Sequence, residues 1–151
     1  MPHPQLVLDT NIISETLKKQ PDERVLAWLL QNQESLYLNA ITVGELWEGA
    51  YRLPQGKRRE SLLLALERIT GRYENRILSY DGTAAQHYAR LRNEARNHGR
   101  ALTVEDGMIA ATCIASSSVL VTRNMKDFEY LGIALVNPFE EPTPDVAEIS
   151  F

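Results

Sequence analysis

Asp9, Glu45 and Asp106 are the residues of this chain best placed, by type and spacing, to do chemistry. Asp9 directly follows the apolar run Leu6-Val7-Leu8. Glu45 and Asp106 each stand three residues after a threonine at an expected helix start. The segments Ala40-Ile41-Thr42-Val43-Gly44-Glu45 and Ala101-Leu102-Thr103-Val104-Glu105-Asp106 use one local device twice, although nothing outside them repeats. Each acid also has a purely structural account. A Thr at the N-cap with an acid at the third helical position is a capping box, which suits Glu45 well. It suits Asp106 less, because the shorter side chain reaches back less far. Asp9 reads as an N-cap for the helix that follows the first strand.

Considered together, the three acids say more. Segments leaving the strands of an open parallel sheet gather at its carboxyl edge, where ligands bind, so all three are expected in one small pocket. Three carboxylates about 5 Å apart, at an effective dielectric of about 20, repel by roughly 3 kcal/mol per pair and on the order of 10 kcal/mol in all. That rivals the whole stability of a domain. Either some are protonated or a cation sits among them, and helix N-termini favour the ionised form and hence the cation. Oxygen donors without His or Cys suit Mg²⁺ or Mn²⁺ rather than zinc or copper. A hard divalent ion held by carboxylates binds phosphate oxygens and activates a water for in-line attack. The residues alone therefore lead to metal-assisted phosphoryl chemistry.

To position such acids the chain must alternate strands with helices, and its patterning does so. Short apolar runs predict strands at 6–8, 36–38, 77–78, 119–121 and 134–136, the run Val119-Leu120-Val121 being the clearest. Helical spacing predicts helices over 12–19, 23–30, 42–50, 56–72, from Asp81 to a left-handed cap at Gly99, over 103–116 and over 126–130. The alternation predicts an α/β fold with a mostly parallel sheet covered on both faces.

Composition narrows the class. With 151 residues, 44% hydrophobic and 24% charged, the chain has the make-up of one globular domain and excludes a disordered or fibrous one. One cysteine, Cys113, allows no intrachain disulfide and no thiolate zinc site; on its helix it reads as a small buried residue. No apolar run approaches a membrane span, and the opening Met-Pro-His-Pro-Gln lacks a signal-peptide layout. A soluble, cytoplasmic protein with no membrane partner is expected. Sixteen Lys and Arg against 20 Asp and Glu give a net charge of −4. Residues 140–151 hold four acids and no base, so the rest of the chain is neutral, and overall charge does not exclude a nucleic-acid partner.

Four ordered motifs carry a family likeness: Leu8-Asp9-Thr10-Asn11-Ile12-Ile13-Ser14-Glu15, Ala40-Ile41-Thr42-Val43-Gly44-Glu45-Leu46, Val104-Glu105-Asp106-Gly107-Met108-Ile109-Ala110-Ala111 and Val121-Thr122-Arg123-Asn124-Met125-Lys126-Asp127-Phe128. Over about residues 7–138 the chain resembles PIN-domain ribonucleases, specifically the VapC/FitB branch of bacterial toxin–antitoxin systems. The resemblance implies a three-layer α/β/α sandwich, often dimeric, with a PIN-like nuclease domain over residues 1–139 and an acidic C-terminal tail over 140–151. It implies a Mg²⁺- or Mn²⁺-dependent endoribonuclease leaving 5′-phosphate and 3′-hydroxyl ends. It also implies a cognate antitoxin that blocks the acidic pocket, in a homodimer or a toxin–antitoxin hetero-oligomer. Asp9, Glu45 and Asp106 match the family's acidic triad, with Asp9 and Asp106 as principal metal ligands and Glu45 binding directly or through water. Thr122 is implied to support the pocket by hydrogen bonding, with Asn11, Arg123, Asn124 and Asp127 as further supporting or RNA-contacting residues. Many members carry a fourth acid where this chain has Asn124. One firmly held metal is therefore expected, with a weaker second site formed with the RNA phosphate. Asp127 compensates only if a short helix starts at Asn124, and otherwise reads as a first-turn acid.

Other residues read more plainly. Lys57-Arg58-Arg59 and the set Arg90, Arg92, Arg96 and Arg100 are candidate RNA contacts but have the pattern of solvated helix faces. Trp47 and Tyr51, one turn apart, suit a core or subunit interface better than a base-stacking platform. His3, His87 and His98 show no ligand spacing, and Glu15 and Glu48 are expected to face solvent. Two rival readings remain. One keeps the fold but makes the chain a catalytically weak or inactive partner of an antitoxin or RNA, Asn124 marking the decayed site. The other is a receiver-like phosphorylation domain with Asp9 as acceptor, which fits poorly because Thr122-Arg123 stands where a Lys is required.

Overall fold

Apolar side chains alternate across the central strands, and this alternation divides the interior into two cores. The computed structural model describes residues 3–140, so the tail expected over 140–151 lies, beyond Glu140, outside the described residues. The strands are β1 (Leu6–Leu8), β2 (Leu36–Asn39), β3 (Ile77–Leu78), β4 (Val119–Val121) and β5 (Leu135–Val136). They pair in the order β3-β2-β1-β4-β5, and every pairing is parallel. Parallel neighbours need crossover helices, which here cover both faces. On one side Leu6, Leu8 and Val121 pack with α1 (Thr10–Thr16), α2 (Glu23–Gln31), α3 (Ala40–Tyr51) and α4 (Lys57–Arg72), with Ile12, Val25, Leu46 and Leu66 at the centre. On the other, Val7 and Leu120 pack with α5 (Gly82–Asn97), α6 (Val104–Ala115) and α7 (Met125–Phe128), where Cys113 is buried as expected. This is the predicted α/β/α sandwich. Among the described residues no helix is long and apolar enough to cross a membrane.

The sheet grows outward from β1 to β3 and then returns to β4 on β1's other side. The switch point between β1 and β4 therefore opens a crevice at their carboxyl ends. Helix starts there differ from expectation in a way that matters. Asn39 caps α3, its side chain accepting from the Thr42 amide at 2.9 Å. Thr42 is thus inside the helix, and Glu45 lies too deep for a capping box. In α6 the cap is the expected Thr103, whose Oγ1 accepts from the Asp106 amide at 3.2 Å. The relative merit of the two boxes is reversed, because an Asn at the strand end captured the first helix start. α1 runs from Thr10 to Thr16 directly after the expected Asp9 cap, two residues ahead of the stretch that helical spacing marked.

Candidate active site

The segments leaving β1 and β4, with the N-terminal halves of α3 and α6, line an open cavity of about 400 Å³ at this switch point. Asp9, Glu45 and Asp106 all reach it, with Thr10, Asn11, Ser14, Glu15, Lys18, Arg123, Asn124 and Phe139. Asp9 is buried at the end of β1. Its carboxylate accepts from the Thr10 amide at 2.8 Å, from Asn11 Nδ2 at 3.1 Å and from Thr122 Oγ1 at 2.8 Å. As a cap it bonds the first helical amide, not the second or third that an ordinary N-cap serves. Asn11 binds both Thr122 Oγ1, at 3.2 Å, and the Arg123 amide, at 3.1 Å, tying the β1 turn to the β4 turn. Thr122 Oγ1 also accepts from the Asn124 amide at 3.1 Å. Glu45 accepts from Thr10 Oγ1 at 2.9 Å.

The electrostatics separate these acids from ordinary surface carboxylates. Burial pushes the Asp9 carboxyl above its usual range despite its hydrogen bonds, and Asp127 adds to the effect. Burial also raises Glu45, with the charge of Asp9 contributing. Asp106 is pushed up to about 6, first by burial and then by Asp9. Glu15 moves the other way. Its carboxyl is held low by Lys18 Nζ at 2.6 Å and by the Asp22 amide at 3.1 Å, with Arg123 adding a smaller pull.

These groups fit a hard divalent cation by donor chemistry: carboxylate, hydroxyl and amide oxygens line the cavity, and no His or Cys does. The three raised acids are destabilised as anions, the condition a cation relieves. They do not close into a ligand set, however. Among the described residues no group of three or more His, Cys, Asp or Glu is arranged to hold a metal ion. Thr10 links two of them, its amide donating to Asp9 and its hydroxyl to Glu45, while Asn11 and Thr122 hold Asp9 from the other side.

Of the remaining expected residues, Asn124 reaches the cavity and Asp127 does not. α7 begins at Met125, with Asn124 at the cap position but making no side-chain capping bond. From its first turn Asp127 still raises both Asp9 and Asp106. Thr10, Glu15 and Lys18 line the cavity although the motif spacing assigns them no site role. Glu15 is buried rather than solvent-facing, one turn after buried Ile12 on α1 and covered by Lys18 and the Asp22 amide, while Glu48 is exposed and paired with Arg52. The signal for Thr10 was its position beside Asp9; nothing in the spacing marked Lys18.

The Trp47 and Tyr51 rings, tilted by 35° with centroids 6.2 Å apart, do not line the cavity, and Arg59 lies over Tyr51 at 5.3 Å. Arg90 pairs with Glu94, Arg92 donates to the Leu102 carbonyl and Arg100 lies over Tyr130. None of these arginines reaches the cavity, and neither does Arg96. A larger concavity of about 680 Å³ lies between α2 and α4, floored by Leu8, Leu29 and Ile69, and holds none of the three acids.

Residues 6–133 match the family described as PIN domain. The chain is 42% identical over 137 residues to VapC ribonuclease Y4jK of Sinorhizobium fredii, a match covering 89% of this chain and 98% of that protein. It is 41% identical over 138 residues to Toxin FitB of Neisseria gonorrhoeae, covering 90% and 99%. Among solved structures it superposes on FitAcB from Neisseria gonorrhoeae with a TM-score of 0.85 at 41% identity, covering 91% of this chain and 100% of that one. Against DNA-bound VapBC from Salmonella typhimurium the TM-score is 0.79 at 30% identity, covering 90% and 99%.

Proposed function

The chain belongs to the PIN-domain family, closely related to VapC/FitB-type toxins of type II toxin–antitoxin systems, and from that premise we propose that it is a divalent-metal-dependent endoribonuclease. Asp9, Glu45 and Asp106 are its catalytic acids. The observation that supports this most is their shared state. All three line one cavity with their carboxyls pushed upward, and none forms an ion pair among the described residues.

Asp9 and Asp106 would hold the cation, with Glu45 binding it directly or through water. Mg²⁺ or Mn²⁺, when bound, supplies charge neutralisation at the phosphodiester and eases deprotonation of the attacking water. Thr122, Asn11 and the Thr10 amide fix the Asp9 carboxylate, and the Thr10 hydroxyl fixes Glu45. Asn124 is uncharged, so a second cation would be held more weakly and with the help of the RNA phosphate. The products would carry 5′-phosphate and 3′-hydroxyl ends.

The toxin would act in the cytoplasm and be neutralised by a cognate antitoxin, in a hetero-oligomer or beside a homodimer. Apolar side chains left exposed on α2, Leu26 at 41% and Leu30 at 68%, give such a partner area to bury. The test is cleavage of total RNA by the antitoxin-free chain with Mg²⁺ or Mn²⁺, against EDTA and Asp9→Asn. Discrete fragments are expected with metal, and at least about a hundredfold less cleavage from Asp9→Asn. A folded chain that cuts under neither metal would make it instead an inactive partner of an antitoxin or RNA.

A further inference from the structure

The acidic cavity also carries two cations that the proposed chemistry does not use. Lys18 and Arg123 line it together with the three acids. The Arg123 guanidinium lies over the Phe139 ring at 4.4 Å, its backbone is bonded to Asn11, and among the described residues it has no carboxylate partner. Lys18 is held by Glu15 at 2.6 Å. An exposed (i, i+3) ion pair would mean little. The lysine of this pair is 57% exposed, but its acid is only 7% exposed, and the acid's second oxygen is fixed by the amide of Asp22, the residue that caps α2. Two helices are thus used to set one ammonium group at the cavity. Three carboxylates repel an incoming phosphodiester, and fixed cations beside them give its neighbouring phosphate a place to bind.

We propose that Lys18 and Arg123 form a clamp for a backbone phosphate of RNA, next to the phosphate presented to the acids, and that Glu15 is the positioning residue for Lys18. The ligand class rests on the nuclease reading; the measurement does not. Binding of a labelled single-stranded RNA oligonucleotide to the full chain is followed by fluorescence anisotropy in EDTA across a range of salt. Lys18→Ala and Arg123→Ala should each weaken binding about five- to tenfold and reduce the slope of log K against log salt by about 0.7, while Lys18→Arg retains both.

Glu15→Gln gives the sharper result. Removing a negative charge from the cavity should tighten RNA binding if charge alone matters, whereas loss of the Lys18 anchor should weaken it. Weaker binding, with KM raised more than kcat is lowered where cleavage occurs, is the expected outcome. Unchanged affinity and salt slope in both alanine variants, or tighter binding by Glu15→Gln, would overturn the clamp. If the parent chain cuts no RNA but the variants lose binding, the nuclease reading falls and the clamp stands. Cutting with binding unchanged in the variants has the opposite meaning.

Discussion

Four carboxylates line one cavity, and their surroundings divide them three to one. Glu15 has a lysine and a backbone amide and stays an anion; Asp9, Glu45 and Asp106 have no ion-pair partner among the described residues and are held above their usual range first by burial, with the charge of Asp127 adding to Asp9 and that of Asp9 adding to Glu45 and Asp106. Asp106 is raised from 3.8 to about 6. Between those values the folded chain binds more protons than the unfolded one, so stability falls as pH rises through that window and the penalty is complete above it. Asp106→Asn should therefore stabilise the metal-free chain at pH 7.5, on the order of 1 kcal/mol after allowing for solvent screening, and give no gain near pH 4. Urea titrations at the two pH values check this; a variant less stable at pH 7.5 would mean that Asp106 holds the fold together. That these three acids share a cavity was legible in their places after strands and near helix starts. The role of Glu15 was not, because its partners, Lys18 and the Asp22 amide, lie beyond the end of α1 in a turn whose path the spacing does not reveal.

Helices α5 and α6 are where elements, rather than single residues, fix the site. Gly107 follows Asp106, and a methyl group there would meet Tyr88 Cε2 at 2.8 Å, Tyr88 Cδ2 at 3.0 Å and Leu102 Cδ2 at 3.3 Å. The half-buried Tyr88 ring, with Tyr80 edge-on at 6.4 Å and Arg92 at 5.9 Å, would have to shift to admit the methyl. Overpacking of this kind costs about 1–3 kcal/mol. Replacing Gly by Ala inside a helix returns roughly 1 kcal/mol. Gly107→Ala should thus lose about 1 kcal/mol, and the same change in a Tyr88→Ala background should lose nothing; equal losses in both backgrounds would rule out the ring as the cause. The strands and helix order were legible because apolar runs and turn residues alternate along the chain. The α5–α6 contact was not. A glycine in a helical stretch reads as a weak position until the facing helix is known, and the Asn39 cap was hidden by a threonine that fits a capping motif equally well on paper.

At the scale of the whole molecule, charge is local rather than global. The described body is near neutral, yet the cavity gathers Asp9, Glu15, Glu45 and Asp106 against Lys18 and Arg123, leaving two uncompensated negative charges when all are ionised. A net charge of that sign favours uptake of a cation, which is what the proposed metal site requires. A ligand that binds only the folded chain stabilises it by about 2.7 kcal/mol at a hundredfold excess over Kd. For a chain of this size that raises the melting temperature by roughly 5–10 °C. The ion needs ionised carboxylates, so protonation competes with it. With Asp106 raised to about 6, the shift produced by Mn²⁺ should be full at pH 7.5 and much smaller at pH 5. Sodium chloride at matched ionic strength should not reproduce it, since screening acts on all surface charge and not on one cavity. Thermal melts of the full chain, of Asp9→Asn and of Asp106→Asn across both pH values decide the matter. A shift that survives in both variants, or that is unchanged at pH 5, would place the cation elsewhere on the molecule and detach the acidic cavity from metal binding.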